Sequence, residues 1–290
     1  MAGLPEIAAR PFLGGLYFAE GPRWHGGRLW YSDFYDRAVF SVGQDAAPRR
    51  ELDVPGQPSG LGWLPDGRLL VVSMRERTVL RREEDGSLAV HGSLAPWAAG
   101  HGNDMVVDAA GRAYAGNFGF DLDAFFDGRG RPRRTSLVRV DPDGTAVEAA
   151  PGLSFPNGMV LFPDGKTLVV GESFAPCLTA FDVAADGTLS GRRVWASVEG
   201  CAPDGICLDA EGCVWVANAR AAECLRVAEG GRVVARVATS QTAFACMLGG
   251  EDRRTLFCCT APTSHSARAR ERREGRIERA EVAIPGAGRP

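Results

Sequence analysis

Apolar and polar positions alternate along most of this chain in short runs, and the runs come in pairs separated by Asp-Gly or Gly-Gly. "WLPDGRLLVVS" from Trp63 and "VLFPDGKTLVVGE" from Val160 show the form. A period of two on either side of a turn in which Gly supplies positive φ predicts a β-hairpin. Sustained helical periodicity is absent, so the expected class is all-β. One Asn-Gly pair does not fit the punctuation. Asn157-Gly158 stands just before a strand, where no hairpin is expected, and its carboxamide needs another explanation.

The paired runs themselves recur. Segments beginning at Glu20, Ser59, Asn103, Asn157, Asp204 and Cys246 each read as strand, turn, strand and fall into one register. Their starts lie 39, 44, 54, 47 and 42 residues apart, near the roughly 40 to 50 residues of a four-stranded propeller blade. Six starts predict a six-bladed β-propeller, with residues 1–290 as one domain. Runs such as "RAVFSVG" between the hairpins supply the outer strands. In the last blade "EGRIERAEVAIPG" supplies one outer strand, and the N-terminal stretch around "EIAARPF" adds another, closing the ring and removing an exposed edge. Two stretches stand outside the repeat. "SARARERREGR" reads as a solvated loop. "NFGFDLDAFFDGRGRPRRTS" lengthens one interval and reads as a long surface loop, either a binding element or a tolerated insertion.

Composition narrows the partners. The chain is 45% hydrophobic and 24% charged with a net charge of −3, which gives no large field for nucleic acid or anionic lipid. No apolar run is long enough to span a bilayer, and "MAGLPEIAARPFLGG" lacks the features of a secretory signal, so a soluble, cytoplasmic protein without nucleic-acid or membrane partners is expected. Eight cysteines without a C-x-x-C pair read as buried free thiols rather than a disulfide or zinc framework.

In a propeller the innermost strand of each blade lines the central channel, so equivalent first positions become neighbours at one mouth. Here they are Glu20, Ser59, Asn103, Asn157, Asp204 and Cys246, four of which carry a carboxylate or carboxamide oxygen. Two carboxylates balance a divalent cation and amide oxygens complete its shell. All-oxygen sites favour hard ions, Ca2+ first, with Mg2+ or Mn2+ as alternatives, and the lack of a His or Cys triad argues against a tight structural zinc site. The competing reading is that these side chains merely cap turns. Trp24, Trp63 and Trp215, inside the repeated hairpins, read as packing residues.

The motifs "AEGPRW", "GNDMVVDAAGRAYAGN", "FPNGM" and "PDGICLDAEGCVWVA", in that order and spacing, make the chain resemble the senescence-marker protein/gluconolactonase family, which includes regucalcin and bacterial sugar lactonases. The resemblance implies a six-bladed propeller binding one divalent ion, Zn2+ among the candidates, with Glu20, Asn157 and Asp204 as its protein ligands and Asn103 beside it, contacting substrate or water. It implies hydrolysis of a lactone or related ester, with the ion as Lewis acid and Asp204 as the base that activates water. No G-x-S-x-G elbow supports a serine nucleophile. Sugar-lactone members typically carry Arg two residues before the Asn of the N-D motif; this chain has "HGND". His101 there is open to three readings, a hydrogen-bonding contact, a proton-transfer group or a filler of the mouth. The nearby loop offers Phe118, Phe120, Phe125 and Phe126, either as a substrate wall or as loop packing, with Asp121 facing substrate. A non-catalytic calcium- or ligand-binding propeller, or the same centre used for phosphotriester hydrolysis or a lyase or isomerase step, are the alternative functions.

Overall fold

The structure is a computed structural model and describes residues 4–289. Six sheets, each built on four antiparallel strands, follow one another along the chain. The first runs from an innermost strand, Ala19–His25, outward through Arg28–Asp33, Ala38–Val42 and Pro48–Asp53. Four more repeat that order from the innermost strands Pro58–Trp63, Gly102–Val107, Pro156–Leu161 and Pro203–Leu208. The sixth starts at Thr242–Gly249, passes through Thr255–Ala261 and Gly275–Glu281, and takes its outermost strand, Arg10–Leu16, from the other end of the chain. Adjacent innermost strands touch in cyclic order, the sixth against the first, so the sheets are the blades of a closed six-bladed propeller.

The closing stretch around "EIAARPF" divides its work between two blades. Arg10–Leu16 pairs antiparallel with Gly275–Glu281, as expected, while Glu6–Ala8 adds a parallel strand to Val233–Ala238 of the fifth blade. A Glu6–Arg236 ion pair at 2.9 Å marks that second junction.

Between blades the strand faces interlock as separate apolar layers. Leu70, Val72, Met105 and Val138 are fully buried in one such layer, and burying each large aliphatic side chain contributes about 1.5–3 kcal/mol. Trp215 lies in another layer, and Trp24 stacks on Phe257 with 5.9 Å between ring centroids, so both serve blade packing. Trp63 stacks on His25 at 3.9 Å, at the far end of its strand from the ring position Ser59. All eight cysteines are free; seven are buried and Cys177 is half-buried.

Two features of the innermost strands set where their polar side chains point. Each carries a β-bulge near its start: in the fourth blade Pro156 pairs with Glu172 and Met159 with Val170, so Asn157 and Gly158 together oppose Gly171. A bulge bends the strand and re-aims the side chain it carries, here Asn157, toward the channel. The Gly that comes next lets neighbouring strands approach. A Cβ on Gly158 would lie 2.4 Å from the Ile206 amide nitrogen, and one on Gly60 would lie 2.3 Å from that of Met105. The Asn157-Gly158 pair is thus a close-packing device rather than a turn.

Three expectations need correction. The sixth register position is Phe244, not Cys246: Ala243 pairs with Thr260 and Ala245 with Cys259, leaving Phe244 at the bulge. Cys246 lies two residues further in, where its thiol meets the carbonyls of Gly205 and Trp215 at 3.5 Å. The long loop after the third hairpin contains a short helix, Leu122–Phe126, and the basic stretch begins with another, Ser266–Ala269. Asp121 caps the first, accepting from Ala124 N at 2.9 Å, which satisfies one of the free N–H groups of a helix start. Elements of one turn are too short to display a period. Neither is long and apolar enough to cross a membrane.

Candidate active site

Glu20, Asn103, Asn157 and Asp204, contributed by four different blades, line one cavity of about 650 Å3 at the channel mouth. All four are buried, between 5% and 8% exposed. Glu20 Oε2 accepts from Gly21 N at 3.0 Å. Asp204 is hydrogen-bonded by Asn157 and by the Gly205 backbone. Asn157 Nδ2 also donates to Ser173 Oγ at 3.0 Å, and that hydroxyl in turn donates to the Pro203 carbonyl at 2.7 Å. Asn103 Oδ1 accepts a long bond from Ser59 Oγ, 3.5 Å, while its Nδ2 is buried without a partner.

Burial, reinforced by the Asp204 charge, pushes the Glu20 pKa well above its ordinary value. Burial likewise raises Asp204 well above its ordinary value against the opposing Asn157 hydrogen bond, with Asp104 adding to the rise. Two acids therefore face one another in low dielectric, where the charged form of each is disfavoured. A third, Asp104, is paired off: Arg23 Nη2 lies 2.5 Å from Asp104 Oδ1 and also donates to the Met105 carbonyl, and Arg23 Nε donates to the Leu61 carbonyl. Among the ion pairs of the described residues neither Glu20 nor Asp204 takes part. No group of three or more His, Cys, Asp or Glu side chains among the described residues is arranged to hold a metal; the cluster here mixes carboxylates with carboxamides.

A second tier stands just outside this floor. In the first five blades the residue two positions before the floor residue bonds through its backbone carbonyl to the chain beside it: Phe34 N to Phe18 O at 3.0 Å, Met74 N to Gln57 O at 2.8 Å, Phe118 N to His101 O at 2.9 Å, Ser173 N to Phe155 O at 3.2 Å and Ala219 N to Ala202 O at 3.1 Å. All ten residues line the cavity. His101 belongs to this tier, opening onto the cavity with its ring 5.8 Å from Phe118; the surrounding protein, and then the Arg75 charge, lower its pKa. The loop helix lies over the tier. Phe120 is buried, edge-on to Phe174 at 4.9 Å, and Phe125 is edge-on to Phe174 at 5.2 Å. Phe126 is 44% exposed and lies 5.9 Å from the ring of His265. Asp121 reaches the cavity but commits Oδ1 to its helix cap.

Sequence reading missed Phe18, Phe34, Gln57, Met74, Phe155, Phe174 and Phe244 as cavity residues. The available signal was position, since the tier repeats two residues ahead of the floor in every hairpin that supplies it. It also missed Arg23, whose partners come from the second and third blades.

A closed six-bladed propeller with an acid-and-amide cluster at one channel mouth defines the class. The chain belongs to the family described as the SMP-30/Gluconolactonase/LRE-like region, matched over residues 18–262. Regucalcin from Danio rerio is 29% identical over 174 residues, 58% of this chain and 56% of the relative, so the match spans little more than half of that protein's length. A 6-deoxy-6-sulfogluconolactonase from Pseudomonas putida is 29% identical over 218 residues, 70% of this chain and 72% of the relative. The crystal structure of a calcium-binding regucalcin from Agrobacterium tumefaciens superposes with a TM-score of 0.81 over 100% of this chain and 99% of that one, at 20% identity, which establishes the shared fold.

Proposed function

We infer that this chain, acting as one domain over residues 1–290, is a divalent-metal-dependent hydrolase that opens a lactone or related ester. The observation that carries this reading is the pair of buried carboxylates, Glu20 and Asp204, neither of which takes part in an ion pair among the described residues. The donor set fits a hard cation: Glu20, Asn157 and Asp204 would hold it through oxygen, and Ca2+ suits two carboxylates and an amide better than a thiolate-seeking ion does. Relatives named regucalcin and sulfogluconolactonase point the same way.

Such an ion supplies Lewis-acid polarisation of the scissile carbonyl when bound. The remaining work falls to side chains. A carboxylate oxygen of Asp204 takes a proton from the attacking water as the water oxygen bonds to the acyl carbon. The ester C–O bond then breaks, and that proton leaves with the alkoxide oxygen as the product hydroxyl. Asn103 Nδ2, buried and unpartnered, donates to substrate or to the attacking water. His101 stays uncharged at neutral pH, because its pKa is lowered, and so offers a hydrogen bond rather than the guanidinium of sugar-lactone relatives.

Asp204→Ala should lower kcat/KM by roughly a hundredfold or more, the scale of general-base loss, in protein that remains folded by circular dichroism. Chelation should abolish turnover and Ca2+, Mg2+, Mn2+ or Zn2+, supplied singly, should restore it. Full activity in the variant removes the proposed base, and full activity in verified metal-free protein removes the metal. His101 in place of Arg supports a second reading, a calcium- or ligand-binding propeller without catalysis. Saturable, Asp204-dependent turnover of any lactone, aryl ester or phosphotriester excludes it.

A further inference from the structure

The tier directly above the floor is largely apolar. Of its ten residues, seven carry no hydrogen-bonding side chain. Two of the other three are already engaged: Gln57 Oε1 accepts from Arg75 Nε at 2.5 Å, and the Ser173 hydroxyl is held between Asn157 and the Pro203 carbonyl. Within the tier that leaves His101 and the Gln57 amide group to meet a polar substrate; elsewhere in the lining Arg75 is held by Gln57, Arg77 by the Ala98 carbonyl, Asp121 by its helix cap and Asp123 by Ser266, while Tyr35 and Arg220 also line the cavity. Two aromatic walls rise on either side. In one, Phe18 packs against Phe34 at 5.3 Å and Phe244 at 4.8 Å; in the other, Phe155 stacks on Phe118 at 4.5 Å with an interplanar angle of 18°.

The Phe155 phenyl is not demanded by the turn that carries it. Phe155 has φ 59° and Gln57, at the equivalent place in the second blade, has φ 69°, a left-handed conformation that bulky residues rarely adopt. The backbone accepts a carboxamide there as readily as a ring, so the chemistry at 155 belongs to the cavity.

We propose that the site takes a lactone or ester with an apolar body, an alkyl- or aryl-substituted ring, in preference to a polyhydroxylated sugar lactone. The proposal rests on the hydrolytic reading of the floor. Each hydroxyl set against these phenyl rings gives up hydrogen bonds to water and finds no partner on them, which opposes binding. Each methylene placed there leaves water for an apolar surface, worth about fourfold in kcat/KM.

The test uses the whole chain with Ca2+. Across δ-lactones of increasing alkyl length, kcat/KM should rise about fourfold per methylene, and δ-decalactone should exceed glucono-δ-lactone by at least about a hundredfold. Calorimetric titration with two non-hydrolysable lactams, the pentyl-substituted valerolactam and the gluconolactam, separates the proposal from the reaction. Tighter binding of the pentyl lactam by about tenfold or more supports the substrate class even if no lactone is opened, an outcome that would overturn the hydrolase alone. Preference for the sugar form in either series, or failure of the pentyl lactam to bind, overturns the proposal. Phe155→Asn, with a residue that tolerates positive φ, should flatten the alkyl-length dependence of kcat/KM. An unchanged slope in the folded variant also overturns it, and the two lactams bound to the wild-type chain decide the matter if that variant does not fold.

Discussion

Arg23 governs how much negative charge the channel floor presents. Paired with Asp104 and bonded to backbone carbonyls of Leu61 and Met105, it neutralises one of three buried carboxylates and leaves Glu20 and Asp204 to face the cavity. Arg23→Met should cost about 3–5 kcal/mol in urea unfolding, because Asp104 would be left buried and unpaired, whereas Arg23→Met with Asp104→Leu should recover most of that loss. Equal losses in the two variants would show that Arg23 acts through its backbone contacts instead. The two remaining acids make stability depend on pH. Both have folded pKa values above those of the unfolded chain, so the folded state holds more protons once pH exceeds about 4. Stability of metal-free protein therefore falls as pH rises above about 4, and the Tm gained on adding Ca2+ should grow with pH. The matching control is Glu20→Gln with Asp204→Asn, whose Tm should show neither trend; identical profiles for both proteins would remove these two acids from the explanation.

At the level of single strands, the bulge and its Gly decide whether a floor residue reaches the channel. Gly158→Ala places a Cβ against the Ile206 backbone, where nothing flexible can yield, and should lower stability by about 1–3 kcal/mol and lower cation affinity with it. Wild-type stability and calcium response in that variant would mean that the strands can separate freely. Five of the six floor positions were legible in the sequence because each carries a polar residue at a fixed distance ahead of its hairpin. The sixth was not. "TAFACMLG" is nearly all apolar, so nothing distinguishes Phe244 from Cys246 until strand pairing does. The upper tier escaped for a related reason: Phe18, Phe34 and Phe155 look like ordinary core residues, and their common register becomes visible only once the backbone bonds of the tier are seen. Asp121 and His265 could have signalled their helices as caps, but a single turn has no periodicity to confirm the signal.

For the molecule as a whole, closure depends on Arg10–Leu16 lying beside Gly275–Glu281. Phe12 packs on Phe257 at 5.2 Å and Leu16 is buried, so removing the chain through Leu16 strips apolar cover and bares a strand edge. The truncated protein should melt at a lower temperature and self-associate in light scattering, as open edges do; an unchanged, monodisperse protein would show that the outermost strand is dispensable. The same pairing constrains birth of the protein on the ribosome. Contacts between positions this remote form slowly because a large loop must close first, and Arg10–Leu16 has no partner in its blade until Gly275–Glu281 has been made. Five blades can assemble in order while Arg10–Leu16 waits, which makes the unfinished ring a target for chaperones and makes a circular permutant, with that strand moved to follow its partner, the version expected to refold faster.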